Sequence, residues 1–187
     1  MPNFFTRQGP GHGWHLYGGR LQANVPVEVT LTPADGDTDP LECRVVMTVD
    51  IVDGRLACTS LTTDRLDDHS PVISGELLRR IPVATYLRLA ALDTRFVLLE
   101  RVEGRLREVE GMPPKDFAKK GMTDEALDQF ARLYALIQVS GGKPSGVLLN
   151  DYGMPRATFS RWLATARRRG ILVEDHQRFE VDSHGER

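Results

Sequence analysis

The sequence predicts an α+β protein, with an antiparallel sheet and one or two helices in its N-terminal part and three helices near its C-terminus. Apolar and polar residues alternate between Val25 and Leu31, which is the period of a half-buried strand. Apolar residues recur every three to four positions between Leu127 and Ile137, which is the period of an amphipathic helix. Between these regions, the Gly-Met-Pro-Pro stretch at 111–114 can continue neither kind of element, so it marks a boundary.

The composition is that of an ordinary globular protein. Of the 187 residues, 41% are hydrophobic and 27% are charged, and the formal net charge is −2. No run of about eighteen apolar residues occurs, so we expect no membrane span. The N-terminus lacks the basic start and apolar run of a signal peptide, and we therefore expect a cytoplasmic protein.

Residues 1–24 are rich in glycine and aromatic residues and show no clear period. This pattern predicts a partly ordered arm with a short strand at Trp14–Tyr17. His12 and His15 form a His-x-x-His pair, but the sequence offers no third ligand nearby, so we predict no metal site.

A small α+β domain is predicted over residues 25–111, and we expect it to dimerise or to bind a ligand or partner. Exposed strand edges, such as that of Val25–Leu31, could pair across a twofold axis. The first three predicted strands are Val25–Leu31, Leu41–Val52 and Arg55–Thr63, the last two joined by an Asp53-Gly54 turn.

The register of this predicted hairpin determines which residues lie opposite the two cysteines. Cys43 falls opposite residue 64 and not opposite Cys58, so we predict free thiols in a reducing compartment.

The loop at 33–40 carries three aspartates on alternate positions, as the start of a calcium loop does, but the downstream glutamate and flanking helices are absent. We interpret it as a solvated hairpin loop.

The rest of this domain is predicted to be mostly helical. Ser74 caps a helix at Gly75–Arg80, and Val83–Leu92 continues with helical spacing. Two further segments, Arg95–Glu100 and Arg105–Glu110, flank a Glu-Gly pair and fit either a hairpin or a helix. The valines and the glycine turn favour the hairpin.

A linker is predicted at 112–122 and a helical domain at 123–175, followed by a tail at 176–187. The apolar stripe of the first helix is expected to cover the other two. Ile171–Glu174 and Arg178–Val181 could form the strand pair of a wing or belong to the tail, and we expect the last six residues to be disordered. The three predicted helices are Thr123–Ser140, Ser145–Asp151 and Pro155–Arg169.

The stretch Lys143–Leu172 has the most specific spacing in the chain. Gly153 is the ninth residue counted from Ser145, where a turn between two helices needs a residue that tolerates positive φ. The inward positions four, ten, fifteen and eighteen are apolar: Leu148, Met154, Phe159 and Trp162.

Pro155 suits a first helical position, and Gly170 follows a cationic last turn. This stretch resembles the helix-turn-helix of many bacterial transcription regulators. In particular, it is similar to the form found in DNA-binding proteins of actinobacterial chromosomes, phages and mobile elements. The resemblance covers about thirty residues strongly and extends weakly to the preceding helix.

The resemblance implies that the second helix enters the major groove of double-stranded DNA with its N-terminal residues at the base edges. Arginines on this helix can bind guanine bidentately, whereas its Ser and Thr suit phosphates or a thymine methyl. The groove-facing candidates are Arg156, Ala157, Thr158, Ser160 and Arg161. The phosphate-binding candidates are Lys143, Arg167, Arg168 and Arg169.

The distribution of charge agrees with this interpretation. Residues 1–111 carry 12 basic and 16 acidic side chains, whereas Lys143–Gly170 carries six basic side chains and one acidic. Basic charge is therefore concentrated on the motif, as a surface that faces phosphates requires.

We therefore expect a sequence-specific DNA-binding protein associated with the nucleoid, most simply a homodimeric transcription regulator without a cofactor. Two alternatives remain open. One is a phage or mobile-element repressor, replication or excision accessory protein; the other is an adaptor whose helical domain binds another protein. The chain holds no GxSxG, Walker A, HExxH or CxxC pattern, and we predict no enzyme activity.

Overall fold

The computed structural model describes residues 3–34, 42–93, 98–109, 112–119 and 121–180. Within these ranges the chain forms one seven-stranded antiparallel sheet and five helices, which confirms the α+β class. The strands are β1 (Asn3–Leu16), β2 (Leu21–Thr32), β3 (Arg44–Val52), β4 (Arg55–Asp64), β5 (Leu98–Val102), β6 (Arg105–Glu108) and β7 (His176–Glu180). The helices are α1 (Gly75–Arg80), α2 (Val83–Asp93), α3 (Asp124–Val139), α4 (Pro144–Asn150) and α5 (Arg156–Arg168).

The sheet runs in the order β4-β3-β2-β1-β7. One side of β2 pairs with β1, and its other side is shared between two partners. Val27–Leu31 pair with β3, whereas Leu21–Ala23 pair with β5, which in turn pairs with β6. The sheet therefore divides along β2 into a β3–β4 branch and a β5–β6 branch.

β2 corrects one expectation, because the Val25–Leu31 edge predicted to be available for dimerisation is occupied. The alternating burial within β2 is as predicted: every second residue from Leu21 to Leu31 is buried. Alternation reports which face of a strand meets the core, but it carries no information about the strand edges. The central position of β2 therefore could not be read from its own sequence.

β1 is the largest departure from the sequence prediction. The described part of the predicted arm forms a strand from Asn3 to Leu16 that pairs with β2, in place of a short strand at Trp14–Tyr17. The register shifts between Gln8 and His12, where the sequence reads Gly-Pro-Gly. Glycine and proline conceal the period-two pattern, and a bulge changes which face each later residue occupies.

β7 overlaps the second strand of the predicted wing, Arg178–Val181, but it pairs with β1. Residues 171–175 contain no strand, and His176–Glu180 pair antiparallel with β1, from Leu16 opposite His176 to His12 opposite Glu180. The strand that follows the C-terminal helices therefore joins the sheet beside the most N-terminal strand. This pairing fastens the helical part of the chain to the sheet.

The contact between β1 and β7 depends on a glycine. Gly13 lies opposite Phe179, whose ring stacks on His15 with the ring centroids 4.4 Å apart. A Cβ atom on Gly13 would lie 2.8 Å from Cε1 of Phe179, closer than carbon atoms pack. A side chain at position 13 must therefore displace this ring.

We expect Gly13→Ala to lower the free energy of unfolding by about 1–3 kcal/mol, because the Phe179 ring must leave its stack. Urea denaturation followed by circular dichroism measures the change. The matched control is Gly75→Ala at the start of α1, where an added Cβ meets no atom within 4 Å, and we expect no loss there. Equal midpoints for wild type and Gly13→Ala would contradict the proposed packing.

The β3–β4 hairpin turns where the sequence predicts. Asp53 and Gly54 have φ values of 50° and 72°, the left-handed pair that a tight two-residue turn requires. The register differs by one residue beyond a bulge at Thr59, which places Arg44 and not Cys43 opposite Asp64. The Thr59 hydroxyl donates a hydrogen bond to the Thr48 carbonyl at 3.2 Å.

Cys58 lies opposite Val49, and both cysteines are free thiols.

Ser74 accepts a hydrogen bond from the Leu77 amide at 3.2 Å and caps α1 as predicted. The predicted hairpin also forms, as β5 and β6. The aspartates of the predicted 33–40 loop, residues 95–97 and 110 of the predicted hairpin segments and the predicted disordered tail lie outside the described residues.

Three helices occupy the predicted C-terminal positions and pack on one another. Thr123 caps α3 by accepting a hydrogen bond from the Ala126 amide at 3.1 Å. The apolar stripe of α3 covers α4 and α5, and one hydrophobic cluster extends from the sheet into these helices. The buried residues of α3 are Ala126, Leu127, Phe130, Ala131, Leu133, Ala135, Leu136, Ile137 and Val139.

Candidate nucleic-acid interface

One side of α5 is held firmly against the helical core. The Trp162 side chain is 1% exposed, and its ring lies edge-on to Phe130 and Phe117 with centroids 5.8 and 6.1 Å away. Ala166, one turn later, is fully buried. This packing fixes the rotation of α5 about its own axis and so decides which side chains face solvent.

The turn before α5 has the backbone conformation that its sequence predicts. Gly153 has a φ of 63°, in the left-handed region that glycine adopts without strain. The Met154 amide donates to the Leu148 carbonyl at 3.0 Å, and Pro155, predicted to be the first helical residue, instead precedes α5 in an extended conformation. At the other end of the helix, Gly170 has a φ of 67° and stops it.

The opposite side of α5 is an exposed face with small residues along its centre. At about 100° per residue, this face spans roughly 140° of the helix surface. Ser160 and Ala164 lie near its middle, with arginines on both flanks, so the helix backbone can approach a flat or grooved partner closely. The exposed face consists of Arg156, Ala157, Ser160, Arg161, Ala164 and Arg168.

Four of the five predicted groove-facing residues are exposed. Thr158 is the exception, because it is half-buried on the side of the helix nearer to Trp162. Ala164 was not among the predicted residues, although it lies at the centre of the exposed face. A helical projection of residues 155–169 would have found it, since Ala157, Ser160 and Ala164 are spaced three and four positions apart.

The arginines of α5 and of its C-terminal end fall into two groups. Arg156, Arg161 and Arg168 are exposed, and within the described part of the chain their side chains have no hydrogen-bond or ion-pair partner. Unpaired guanidinium groups present all of their N–H donors to solvent. These three are therefore free to bind an anionic partner without first breaking a contact.

Arg167 and Arg169 are paired with carboxylates. Arg167 donates to Glu174 at 2.8 Å, and Arg169 donates to Asp124 at the start of α3, also at 2.8 Å. The hydrogen bond and charge of Arg169 lower the pKa of the Asp124 carboxyl. The hydrogen bond to Glu174 raises the pKa of Arg167. Both pairs tie the end of α5 to neighbouring segments.

Lys143 lies outside α5. It is the residue before α4, it is exposed, and its backbone precedes Pro144 at the first position of the helix. The predicted phosphate-binding side chains therefore lie in three places. Lys143 precedes α4, Arg168 lies on the exposed face of α5, and Arg167 and Arg169 form ion pairs at the end of α5.

His12 and His15 do not share a site. They are three residues apart in β1, so their side chains leave opposite faces of the sheet. The His12 Nε2 donates to the Asp50 carboxylate at 3.2 Å, whereas His15 stacks on Phe179. No cluster of three His, Cys, Asp or Glu side chains occurs among the described residues.

Comparisons with protein-family models, with curated proteins and with solved structures returned no match for this chain. None of the helices in the described ranges has the length and apolar character needed to cross a membrane.

Proposed function

We propose that this chain is a sequence-specific double-stranded DNA-binding protein that reads the major groove with α5, and that it acts as a transcription regulator. The observation that carries the proposal is the exposed face of α5, with a centre of small residues and unpaired arginines on its flanks. A helix can enter the major groove only if its side chains allow close approach. Arg156 and Arg161 then lie near the N-terminal part of the helix, where base edges are read.

The packing of α3, α4 and α5 supports assignment to the helix-turn-helix class. The left-handed Gly153, the buried Leu148 and Met154, and the inward Trp162 match the spacing on which the resemblance rests. Helices of this class also bind proteins, so the fold alone does not decide the partner. The unpaired arginines favour a polyanion over a protein surface.

We also propose that the protein binds as a homodimer, because one short helix reads only a few base pairs. Regulators of this class place two reading helices about 34–36 Å apart, one turn of DNA. Since β2 is central, its edge cannot join two copies. In the described part of the sheet, unpaired edges occur on β4, β6 and β7 and along Asn3–Gln8 of β1.

The test is an in-vitro selection from randomised duplex DNA at near-physiological salt, followed by affinity measurements on the enriched sequence. We expect an enriched motif, with twofold symmetry if the protein is a dimer. We expect Arg156→Ala/Arg161→Ala to weaken binding by about 5- to 150-fold for each arginine that binds a guanine. Discrimination should be lost at the corresponding base pairs only.

The matched control is Arg79→Ala/Arg105→Ala, which removes the same charge from two exposed positions outside α5. This control should keep the selected motif. If both double variants lose affinity equally, binding is a general charge effect and the proposed base reading is wrong. If the wild type binds no DNA and retains a protein partner, the adaptor alternative takes its place.

A further inference from the structure

A cleft of about 910 Å³ lies where the sheet meets the C-terminal helices. Its walls come from the β1–β2 turn, the β5–β6 hairpin, α3 and the segment that follows α5. These walls come from segments far apart in sequence, so no local pattern in the sequence could predict the cleft. Proteins commonly bind small molecules in concave sites of this kind, between packed structural elements.

Two ion pairs join the walls. The Arg132 side chain of α3 donates to both oxygens of Glu100 at 2.7 and 2.8 Å, and Glu100 is only 4% exposed. Arg20 donates to Asp128 at 2.6 Å and to the Ile171 carbonyl at 3.3 Å. These bonds hold the β5–β6 hairpin, α3 and the end of α5 in a fixed relation.

Of the four arginines that line the cleft, Arg107 is the one whose side chain has no hydrogen bond in the described part of the chain. Arg107 lies opposite Glu100 in the β5–β6 register, so the two side chains leave the same face of the hairpin. Glu100 is already bound by Arg132, and Arg107 has no hydrogen-bond or ion-pair partner in the described part of the chain. Its guanidinium can therefore bind an anion in the cleft.

The cleft also has exposed apolar walls. Val102 is 36% exposed, Met112 is 50% exposed and Val173 is 41% exposed. Three of the eleven exposed large apolar side chains in the described ranges therefore line one cleft. Exposed apolar surface beside an arginine without a partner suits a ligand that is anionic at one end and apolar at the other.

We propose that this cleft binds a small amphipathic organic anion. Arg107 binds the carboxylate or sulfonate group, and Val102, Met112 and Val173 contact the apolar body. Gln129 of α3 also lines the cleft and is half-buried, with an amide that can donate a further hydrogen bond.

The probe for this site is 1-anilinonaphthalene-8-sulfonate, whose fluorescence rises when it leaves water. We expect saturable binding of one probe per chain and displacement by octanoate. Arg107→Glu should weaken binding at least about tenfold, because a hydrogen bond to a charged group is replaced by repulsion. The matched control is Arg105→Glu on the same strand, whose side chain does not line the cleft, and it should change binding less than about twofold.

Several outcomes overturn the proposal. Equal probe affinity in the wild type and in Arg107→Glu would exclude Arg107 as the anchor. Displacement by inorganic phosphate as effectively as by octanoate would show a simple anion site without an apolar part. Because Arg107→Glu could act by unfolding the hairpin, Met112→Glu gives a second measurement at an exposed position, and it too should weaken probe binding.

The cleft is lined by Gly170 and Ile171 at the end of α5, so an occupant would touch the segment that anchors this helix. A regulatory role for the ligand rests on the proposed DNA-binding function. If the ligand regulates DNA binding, saturating octanoate should change the affinity for the selected DNA at least about threefold. The probe titration contains no DNA, so failure of the ligand site and failure of the DNA proposal are distinguishable. Unchanged DNA affinity at saturation would exclude regulation by this ligand.

Discussion

Replacing Trp162 by alanine should lower the free energy of unfolding by about 3–5 kcal/mol, the range found for large buried aromatic residues. Its ring lies edge-on to Phe130 and Phe117, with Phe130 also 5.8 Å from Phe159. Removing it leaves a cavity between α3 and α5 that these rings cannot fill without losing their own contacts. Thermal and urea denaturation monitored by circular dichroism measure the loss.

Trp162→Phe is the matched control. The Trp162 Nε1 has no hydrogen-bond partner among the described atoms, so phenylalanine removes a buried donor while it keeps most of the aromatic packing. We expect a loss of less than half that of Trp162→Ala. If alanine costs no more than phenylalanine, the aromatic cluster is not what holds α5 in place.

The second large effect is expected at the buried ion pair between sheet and helix. Glu100→Ala should lower the free energy of unfolding by about 3–5 kcal/mol, because Arg132 is left in a largely buried position without its carboxylate. The side chains of Arg132 and Glu100 are 16% and 5% exposed, so water compensates little. The measurement is again a denaturant titration of the full chain.

The nearby Arg20–Asp128 pair supplies a control of the same type. The Asp128 side chain is 56% exposed, and Arg20 keeps its hydrogen bond to the Ile171 carbonyl, so Asp128→Ala should cost less than half as much as Glu100→Ala. Replacing the whole buried pair, as in Glu100→Leu/Arg132→Leu, should recover much of the loss caused by Glu100→Ala. An equal cost for Glu100→Ala and Asp128→Ala would show that burial does not determine the strength of these pairs.

Much of the local structure follows from the sequence. Ser74 and Thr123 cap helices because their oxygens accept the unpaired amides of a first turn. Asp53-Gly54 and Gly153 turn the chain because they tolerate positive φ. The exposed face of α5 and its buried Trp162 follow from the helical period, which is why most of the candidate site could be named in advance.

The sequence by itself determined which segments are helices or strands in most of the chain, and which face of each meets the core. Only the tertiary structure decided the neighbours: β1 beside β7, β2 in the centre of the sheet, and a cleft closed by Glu100 and Arg132. It also decided that Arg167 and Arg169 are paired while Arg168 is free. The physical reason is that burial patterns depend on residues a few positions apart, whereas strand partners and ion pairs join residues as distant as His12 and Glu180.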